Sequence, residues 1–363
     1  MATSNQRSGQ GFEESRRIHI LGLGNLGLFF AHSLAERPHT SRPPITLLLH
    51  RPSLLQTWKG EIEAIDGHSG ARKSVVRSGF EVELVEDLSK IHQADPGSHI
   101  EYLILSTKTI NTVDALLSVK HRLTSRSTIL FAQNGLGTIE EVNKTVFRDE
   151  CSRPIYLTSI ISHGIYANGP YSYVHAGRGV VAIGSADSKG GQSSLSRFLL
   201  DELLDARALE ATEFSPHIIR RLQLQKLVVN AMINPLTVIF DCQNGHLFDK
   251  TPILSLMQKL LAEASRVLMH LPETAIDTDS KEQFSVDALQ MAVLDVADKT
   301  AQNTSSMLQD VRAGKPTEID YINGYLVRRG TEFGVDCSSN QRLVDMVKSV
   351  QRIKVEDIDR YFL

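Results

Sequence analysis

The stretch IHILGLGNLG, residues 18–27, decides the fold of the N-terminal half of the 363-residue chain. An apolar run over residues 18–23 precedes a helical pattern over 25–37, so the glycines stand where a strand turns into a helix. One glycine there makes a tight turn, one lets a pyrophosphate approach the backbone, and one lets the helix pack against the strand. The stretch therefore predicts a dinucleotide-binding turn at a helix N-terminus, and a ligand-free glycine turn is the alternative. The residues expected at the cofactor are Gly22, Leu23, Gly24, Asn25, Leu26 and Gly27.

The end of the next strand indicates which dinucleotide is bound. An NAD enzyme normally has Asp or Glu there, on the ribose 2′-hydroxyl. Here the strand over residues 45–49 is followed by His50 and Arg51, and no carboxylate occurs before Glu61. A guanidinium pairs well with a 2′-phosphate, so Arg51 favours NADPH. A solvated surface arginine is the alternative.

The remaining pattern predicts two parts. Strand-like runs at 80–85, 102–105 and 129–131 alternate with helices, which is typical of a mostly parallel Rossmann-like sheet with helices on both faces. Runs at 155–165, 171–174 and 180–183 are predicted as additional, antiparallel strands, and the chain then becomes helical. We expect a disordered tail (1–16), an α/β NADP-binding domain (17–212) and an all-α substrate domain (213–363).

Two further strand ends should meet the cofactor turn at one edge of the sheet. Lys108 follows the run at 102–105, and Asn134 follows the run at 129–131. Ligands of open α/β sheets lie beyond the carboxyl ends of the strands, which places both residues for contact. A solvated loop lysine and a plain Asn-Gly turn are the alternatives.

The segment QKLVVNAMINPLT, beginning at Gln225, contains a polar stripe on an apolar helix. Lys226, Asn230 and Asn234 are four residues apart and drift by only about 80° in total. Buried polar groups need partners, and a substrate would be one. Pro235 is expected to disrupt or bend this helix just after Asn234.

A second polar cluster begins at Asn303. Asn303 and Ser306 are predicted to lie one turn apart on the same face of a helix, and a further helix is expected to open at Pro316 and include Glu318. Ordinary capping hydroxyls, and a glutamate that complements its own helix dipole, are the alternatives for Ser306 and Glu318.

The composition excludes several classes of protein. A net charge of −3 argues against binding to nucleic acid, and no run of about 18 uncharged apolar residues predicts a transmembrane helix. Cys151, Cys242 and Cys337 are far apart and the histidines are scattered, so we expect reduced thiols and no metal site. A cytoplasmic protein is expected; a mitochondrial location and a homodimer stay open.

Five segments resemble the ketopantoate reductase family. They are GLGNLG (22–27), QNGLG (133–137), GPYSYVHAGRG (169–179), KLVVNAMINPLT (226–237) and NTSSMLQDVRAGKPTEIDYINGYLVRRG (303–330). The resemblance spans roughly residues 18–350 in the order of the family. It implies a Rossmann domain, a helical domain and an active site between them.

The resemblance also implies a role for each matching residue. Lys226 falls on the catalytic acid, and Glu318 falls on the glutamate that orients the substrate hydroxyl. The positions that line the substrate pocket fall on Asn134, Asn230, Asn234, Asn303 and Ser306, and the basic cofactor positions match Arg51 and Lys108.

The implied reaction is NADPH-dependent reduction of 2-dehydropantoate, a small 2-keto acid, to pantoate in pantothenate and coenzyme A biosynthesis. A reductase of another 2-keto acid or of a ketolactone is one alternative, and a catalytically silent NADPH-binding regulator is another. A 6-phosphogluconate-type dehydrogenase is disfavoured because the sequence shows no matching arginine-rich cluster.

Overall fold

The computed structural model describes residues 16–67, 73–85, 99–187, 194–275 and 278–362. Apart from Arg16, the tail predicted at 1–16 lies outside these ranges. The N-terminal part is built on two sheets, and the part after them is helical; the α/β part followed by helices was predicted. The strands are β1 (Ile18–Leu21), β2 (Ile45–Leu49), β3 (Glu61–Asp66), β4 (Lys73–Ser78), β5 (Glu81–Leu84), β6 (Tyr102–Leu105), β7 (Thr128–Phe131), β8 (Ile155–Ile161), β9 (Gly164–Ala167), β10 (Ser172–Gly177), β11 (Val181–Ser185) and β12 (Ala211–Glu213).

The main sheet has eight strands in the order β12-β11-β8-β7-β6-β1-β2-β5. All of its pairs are parallel except β8 with β11. Its central strands are buried along their whole length, as expected for a parallel sheet covered on both faces. One face packs on helices α1 (Asn25–Leu34) and α5 (Ser194–Asp205), and the other packs on α3 (Thr112–Val119) and α4 (Thr138–Thr145).

One expectation about the strands was only partly right, and one sheet was not predicted. The run at 155–165 was predicted to be antiparallel. Most of it is β8, which is antiparallel to β11 but also extends the parallel sheet beside β7, and its last two residues begin β9, which is antiparallel to β10. A second sheet, ordered β4-β3-β10-β9, was not predicted. Its strand β4 is mostly exposed and mixes lysine, serine, valine and arginine, so it lacks the apolar alternation that marks a half-buried strand.

The helices complete the molecule. They are α1 (Asn25–Leu34), α2 (Pro52–Thr57), α3 (Thr112–Val119), α4 (Thr138–Thr145), α5 (Ser194–Asp205), α6 (Pro216–Phe240), α7 (Thr251–Met269), α8 (Pro272–Ala275), α9 (Thr278–Gln283), α10 (Val286–Lys299), α11 (Ser306–Arg312), α12 (Asn323–Phe333), α13 (Ser338–Lys348) and α14 (Ile358–Phe362). Those from α6 onward, apart from the short α8 and α9, share one apolar core around α6 and α7.

Helix α6 continues through Pro235 to Phe240, so of the two outcomes expected at Pro235, disruption or a bend, disruption was wrong. A proline cannot donate to the carbonyl four residues earlier, which here is Ala231. The buried side chain of Asn323 supplies the missing donor, with its Nδ2 3.0 Å from the Ala231 oxygen. The helix therefore continues past Pro235 with its free carbonyl satisfied by a residue from another segment.

Candidate functional site

The glycine turn between β1 and α1 has three different local environments. Gly22 has φ +101°, and a Cβ there would lie 2.5 Å from the Thr107 nitrogen. A Cβ at Gly27 would collide with the Gly22 carbonyl oxygen, so glycine permits the close approach of helix to turn. A Cβ at Gly24 would meet nothing within 4 Å, so the turn is open to a ligand on that side.

The open side coincides with the start of α1. Gly24 is the N-cap and has no capping side chain, so the first N–H groups of the helix have no side-chain acceptor at this position. Leu23 and Leu26 pack against the core of the sheet, and Asn25 Nδ2 is 3.5 Å from the carbonyl oxygen of Ile165. These features fit the pyrophosphate of a dinucleotide, which binds to free N–H groups at a helix N-terminus.

Arg51 lies at the end of β2, the strand beside β1, and its side chain is exposed. Within the described residues no carboxylate pairs with it. Burial, and secondarily the charge of Arg51, lower the pKa of the neighbouring His50. An unpaired guanidinium at this edge can accept a phosphate group.

Lys108 and Thr109, which follow β6, contact the helical part. Lys108 Nζ forms an ion pair with the Asp310 carboxylate on α11. Thr109 donates both its backbone N–H and its hydroxyl to Glu318 Oε1, at 3.0 and 2.9 Å. Lys108 is thus paired with a carboxylate of the other half in this structure, and Glu318 is held at the edge of the sheet.

The predicted polar stripe lies on α6. Lys226 Nζ donates to the carbonyl oxygen of Ile161 at 2.7 Å, at the carboxyl end of β8. Burial lowers the pKa of Lys226 to about 8, and the Glu318 carboxylate opposes this shift. Asn234 is buried and Asn230 is partly buried, and within the described residues no side-chain hydrogen bond engages either amide. The stripe therefore combines an ammonium of lowered pKa with two amides that retain their hydrogen-bonding capacity.

Asn134 lies in a turn that reaches towards Glu318. The next residue, Gly135, has φ +80°, and a Cβ there would lie 2.6 Å from the Tyr321 carbonyl oxygen. That oxygen also accepts the Leu136 N–H at 2.8 Å, while the Tyr321 N–H donates to the Glu318 carbonyl oxygen at 3.0 Å. The turn that contains Asn134 is therefore linked to Glu318 through the backbone of Tyr321.

The predicted secondary structure was wrong for Asn303 and Glu318, whereas Ser306 does lie on a helix, as its first residue. Asn303 lies outside any helix, since α11 begins at Ser306 and Ser305 is its N-cap. The Ser305 hydroxyl accepts the Leu308 N–H at 3.1 Å and lies 2.6 Å from Thr237 Oγ1. Asn303 and Ser306 are consequently exposed at the start of α11 instead of sharing a helical face.

Glu318 does not open an α-helix either. It precedes a 3-10 turn, Ile319–Tyr321, and its side chain makes no capping bond to that turn. The carboxylate instead accepts the two hydrogen bonds from Thr109. The alternative, a glutamate that only complements the dipole of its own helix, does not account for these two hydrogen bonds.

Sequence reasoning missed Thr109, Asp310, Tyr321 and Ser305. Three of them lie within the quoted segment 303–330, which is the only signal that marked them. In the part of the chain with described positions, no group of three or more His, Cys, Asp or Glu residues could hold a metal ion. Among those same residues, no helix is long and apolar enough to cross a membrane.

Comparison with known proteins identifies the family. The model described as ketopantoate reductase PanE/ApbA matches residues 18–188, and that of its C terminal region matches 218–351. The chain belongs to the ketopantoate reductase family. A 2-dehydropantoate 2-reductase from Salmonella typhimurium is 34% identical over 249 residues, which cover 68% of this chain and 73% of that protein.

Two other comparisons widen the range of relatives. A ketoisovalerate reductase from Gibberella fujikuroi is 26% identical over 396 residues, covering 97% of this chain and 87% of the relative. The ternary structure of D-mandelate dehydrogenase with NADH and anilino(oxo)acetate has a TM-score of 0.71 at 20% identity, covering 94% and 99% of the two chains. This structural likeness shows the fold.

The comparisons confirm the family and an α/β domain followed by helices. They also confirm that this member of the ketopantoate reductase family is an oxidoreductase, and they give no support to a catalytically silent regulator.

Proposed function

We propose that this protein reduces the C2 ketone of 2-dehydropantoate to the alcohol of pantoate with NADPH. One observation carries the proposal. The Lys226 ammonium reaches the carboxyl end of β8 while Glu318 is held at the end of β6, so an acid and a charged partner lie at the sheet edge that also bears the glycine turn. The open side of Gly24 supports a pyrophosphate there, and the exposed Arg51 supports a 2′-phosphate rather than a hydroxyl.

The residues of the chain deliver the proton and position the substrate, while the cofactor provides the reducing equivalent. NADPH, when bound, supplies the hydride. Lys226 donates a hydrogen bond to the ketone oxygen, stabilises the negative charge that develops on it, and transfers a proton to it. Its ammonium has three donors, so the bond to Ile161 leaves two for the substrate.

The other side chains bind and orient. Asn230 and Asn234 follow Lys226 along α6 and offer amides to the substrate carboxylate. We assign to the substrate pocket Asn134, Asn303 and Ser306. The Glu318 carboxylate accepts a hydrogen bond from the substrate hydroxyl. Lys108 is assigned to the cofactor, which requires that it exchange its Asp310 partner for a cofactor phosphate.

A test starts with the purified protein, NADPH and a panel of 2-keto acids and ketolactones. We expect NADPH consumption with 2-dehydropantoate, and a loss of kcat by a factor on the order of 100 or more in Lys226→Ala. NADPH affinity should stay within about two-fold. The matched control is Lys299→Ala, which removes an exposed lysine on α10. Full activity in Lys226→Ala would overturn the assignment.

The Gibberella relative favours a second candidate, reduction of 2-ketoisovalerate. That keto acid lacks the 4-hydroxyl group of 2-dehydropantoate, so a glutamate that binds this hydroxyl would lose its hydrogen-bond donor. If 2-dehydropantoate is the substrate, Glu318→Gln should lower kcat/KM for it much more than for 2-ketoisovalerate. An equal loss with both keto acids would favour the second candidate.

A further inference from the structure

The carboxylate of Glu318 is held from the opposite half of the molecule. Its Oε1 accepts the Thr109 N–H at 3.0 Å and the Thr109 hydroxyl at 2.9 Å, across 209 residues of sequence. Thr109 is 1% exposed, so neither donor has water as an alternative partner. This contact therefore fixes one oxygen of the carboxylate by two donors of a single buried residue.

No other described contact orients this carboxylate. Glu318 makes no capping bond to the 3-10 turn that it precedes. Two donors on one oxygen restrict the side-chain torsions, and Oε2 keeps its lone pairs for a further donor. The charged neighbours of this region are Lys226, whose ammonium interacts with the carboxylate, and the Lys108–Asp310 ion pair beside Thr109.

We propose that Thr109 is a positioning residue that aims the Glu318 carboxylate at the substrate. The inference rests on the proposed function, because Glu318 is assigned there to the substrate hydroxyl. Thr109 directly follows Lys108, so one dipeptide of the cofactor-binding half sets the geometry of a substrate-binding carboxylate in the helical half. Substrate orientation is thereby tied to the approach of the two halves.

The contact itself can be tested without any substrate. Hydrogen–deuterium exchange of the peptide that contains Thr109 is measured in the wild type, Glu318→Ala and Glu318→Gln. The Thr109 amide should exchange about ten-fold faster or more in Glu318→Ala, and should stay slow in Glu318→Gln because the amide side chain retains an acceptor. A peptide from β7 serves as the control. Unchanged exchange in Glu318→Ala would overturn the contact.

Its consequence for catalysis is tested with three threonine variants. Thr109→Val removes the hydroxyl and keeps the shape, whereas Thr109→Ser keeps the hydroxyl. Thr128→Val is the matched control: Thr128 is fully buried at the opposite edge of the sheet, and no described group bonds its hydroxyl. We expect kcat/KM for the keto acid to fall about ten-fold in Thr109→Val, the order expected for one lost hydrogen bond to a charged group.

The same experiment separates positioning from a structural role. In Thr109→Val the KM for NADPH should stay within about two-fold, and Thr109→Ser should recover most of the activity. Equal activity in the valine and serine variants, or a loss matched by Thr128→Val, would overturn the inference. If the wild type reduces no 2-keto acid, the proposed function fails, and the exchange experiment still decides whether Thr109 holds Glu318.

Discussion

The side-chain amide of Asn323 donates to the carbonyl oxygen of Ala231, which Pro235 leaves without a donor in helix α6. The same amide donates to Asn340 Oδ1 at 3.0 Å, so both of its hydrogens are used. Asn323 lies five residues after Glu318, and Pro235 directly follows Asn234. Two segments of the site are thus joined by one buried amide.

This contact predicts non-additive effects on stability. Asn323→Ala should lower the free energy of unfolding by roughly 1–3 kcal/mol, because it leaves a buried carbonyl unsatisfied. In Pro235→Ala the residue at 235 regains an N–H for the Ala231 carbonyl, so the same Asn323→Ala change should cost about 1 kcal/mol less. Denaturant unfolding of the four proteins in this double-mutant cycle measures the difference. Strictly additive losses would contradict the account.

Gly27 and Gly24 should respond in opposite ways to an added methyl group. Gly27→Ala collides with the Gly22 carbonyl and should destabilise the protein by more than about 1 kcal/mol, measured as a lower Tm. Gly24→Ala meets open space at φ −80° and should leave Tm unchanged while raising the KM for NADPH. If Gly24→Ala binds NADPH normally, the pyrophosphate does not lie over this glycine.

Arg51 is expected to select the cofactor. Arg51→Glu should raise the KM for NADPH about ten-fold or more, because a carboxylate repels the 2′-phosphate, and should spare the KM for NADH. Steady-state kinetics with both cofactors check this. Arg148→Glu, at an exposed arginine after α4, is the charge-matched control. Equal increases in the KM for NADPH and in the KM for NADH would show that Arg51 does not bind the 2′-phosphate.

The lowered pKa of Lys226, about 8, predicts the pH dependence of the reaction. The ammonium is the donating form and predominates below this pKa, so keto-acid reduction should fall about ten-fold per pH unit well above pH 8. Oxidation of the 2-hydroxy acid, which needs the neutral amine as proton acceptor, should rise up to about pH 8 and level off above it. The residual activity of Lys226→Arg should lack the alkaline decline, since a guanidinium stays charged. A decline that begins only near pH 10.5 would contradict the buried environment.

Local features of the sequence predicted much of the architecture. The strand, glycine turn and helix at 18–34 could be predicted because their signals lie next to one another in the chain. The four-residue spacing of Lys226, Asn230 and Asn234 likewise predicted that they share one helix face. The helix expected across Asn303 was wrong because the Ser305 hydroxyl caps α11 one residue before Ser306. That choice depends on a capping contact that hydrophobic periodicity does not report.

Contacts between distant segments could not be predicted from the sequence. Thr109 and Glu318 are 209 residues apart, and Lys108 and Asp310 are 202 apart, so no spacing rule connects them. Asn323 is 92 residues from Ala231. Because the sequence does not show this contact, it predicts that Pro235 disrupts or bends the helix. The roles of these residues emerge only once both halves have folded against each other.

Helix α6 is 25 residues long, about 37 Å at 1.5 Å per residue, and extends from the main sheet into the helical core. The Gln223 side chain donates to the Thr158 hydroxyl, and Lys226 Nζ donates to the Ile161 carbonyl oxygen. These two hydrogen bonds hold the first half of α6 against β8. Because α6 is one continuous helix, any motion that separated it from β8 would carry the Lys226 amine away from the sheet edge and would interrupt proton delivery.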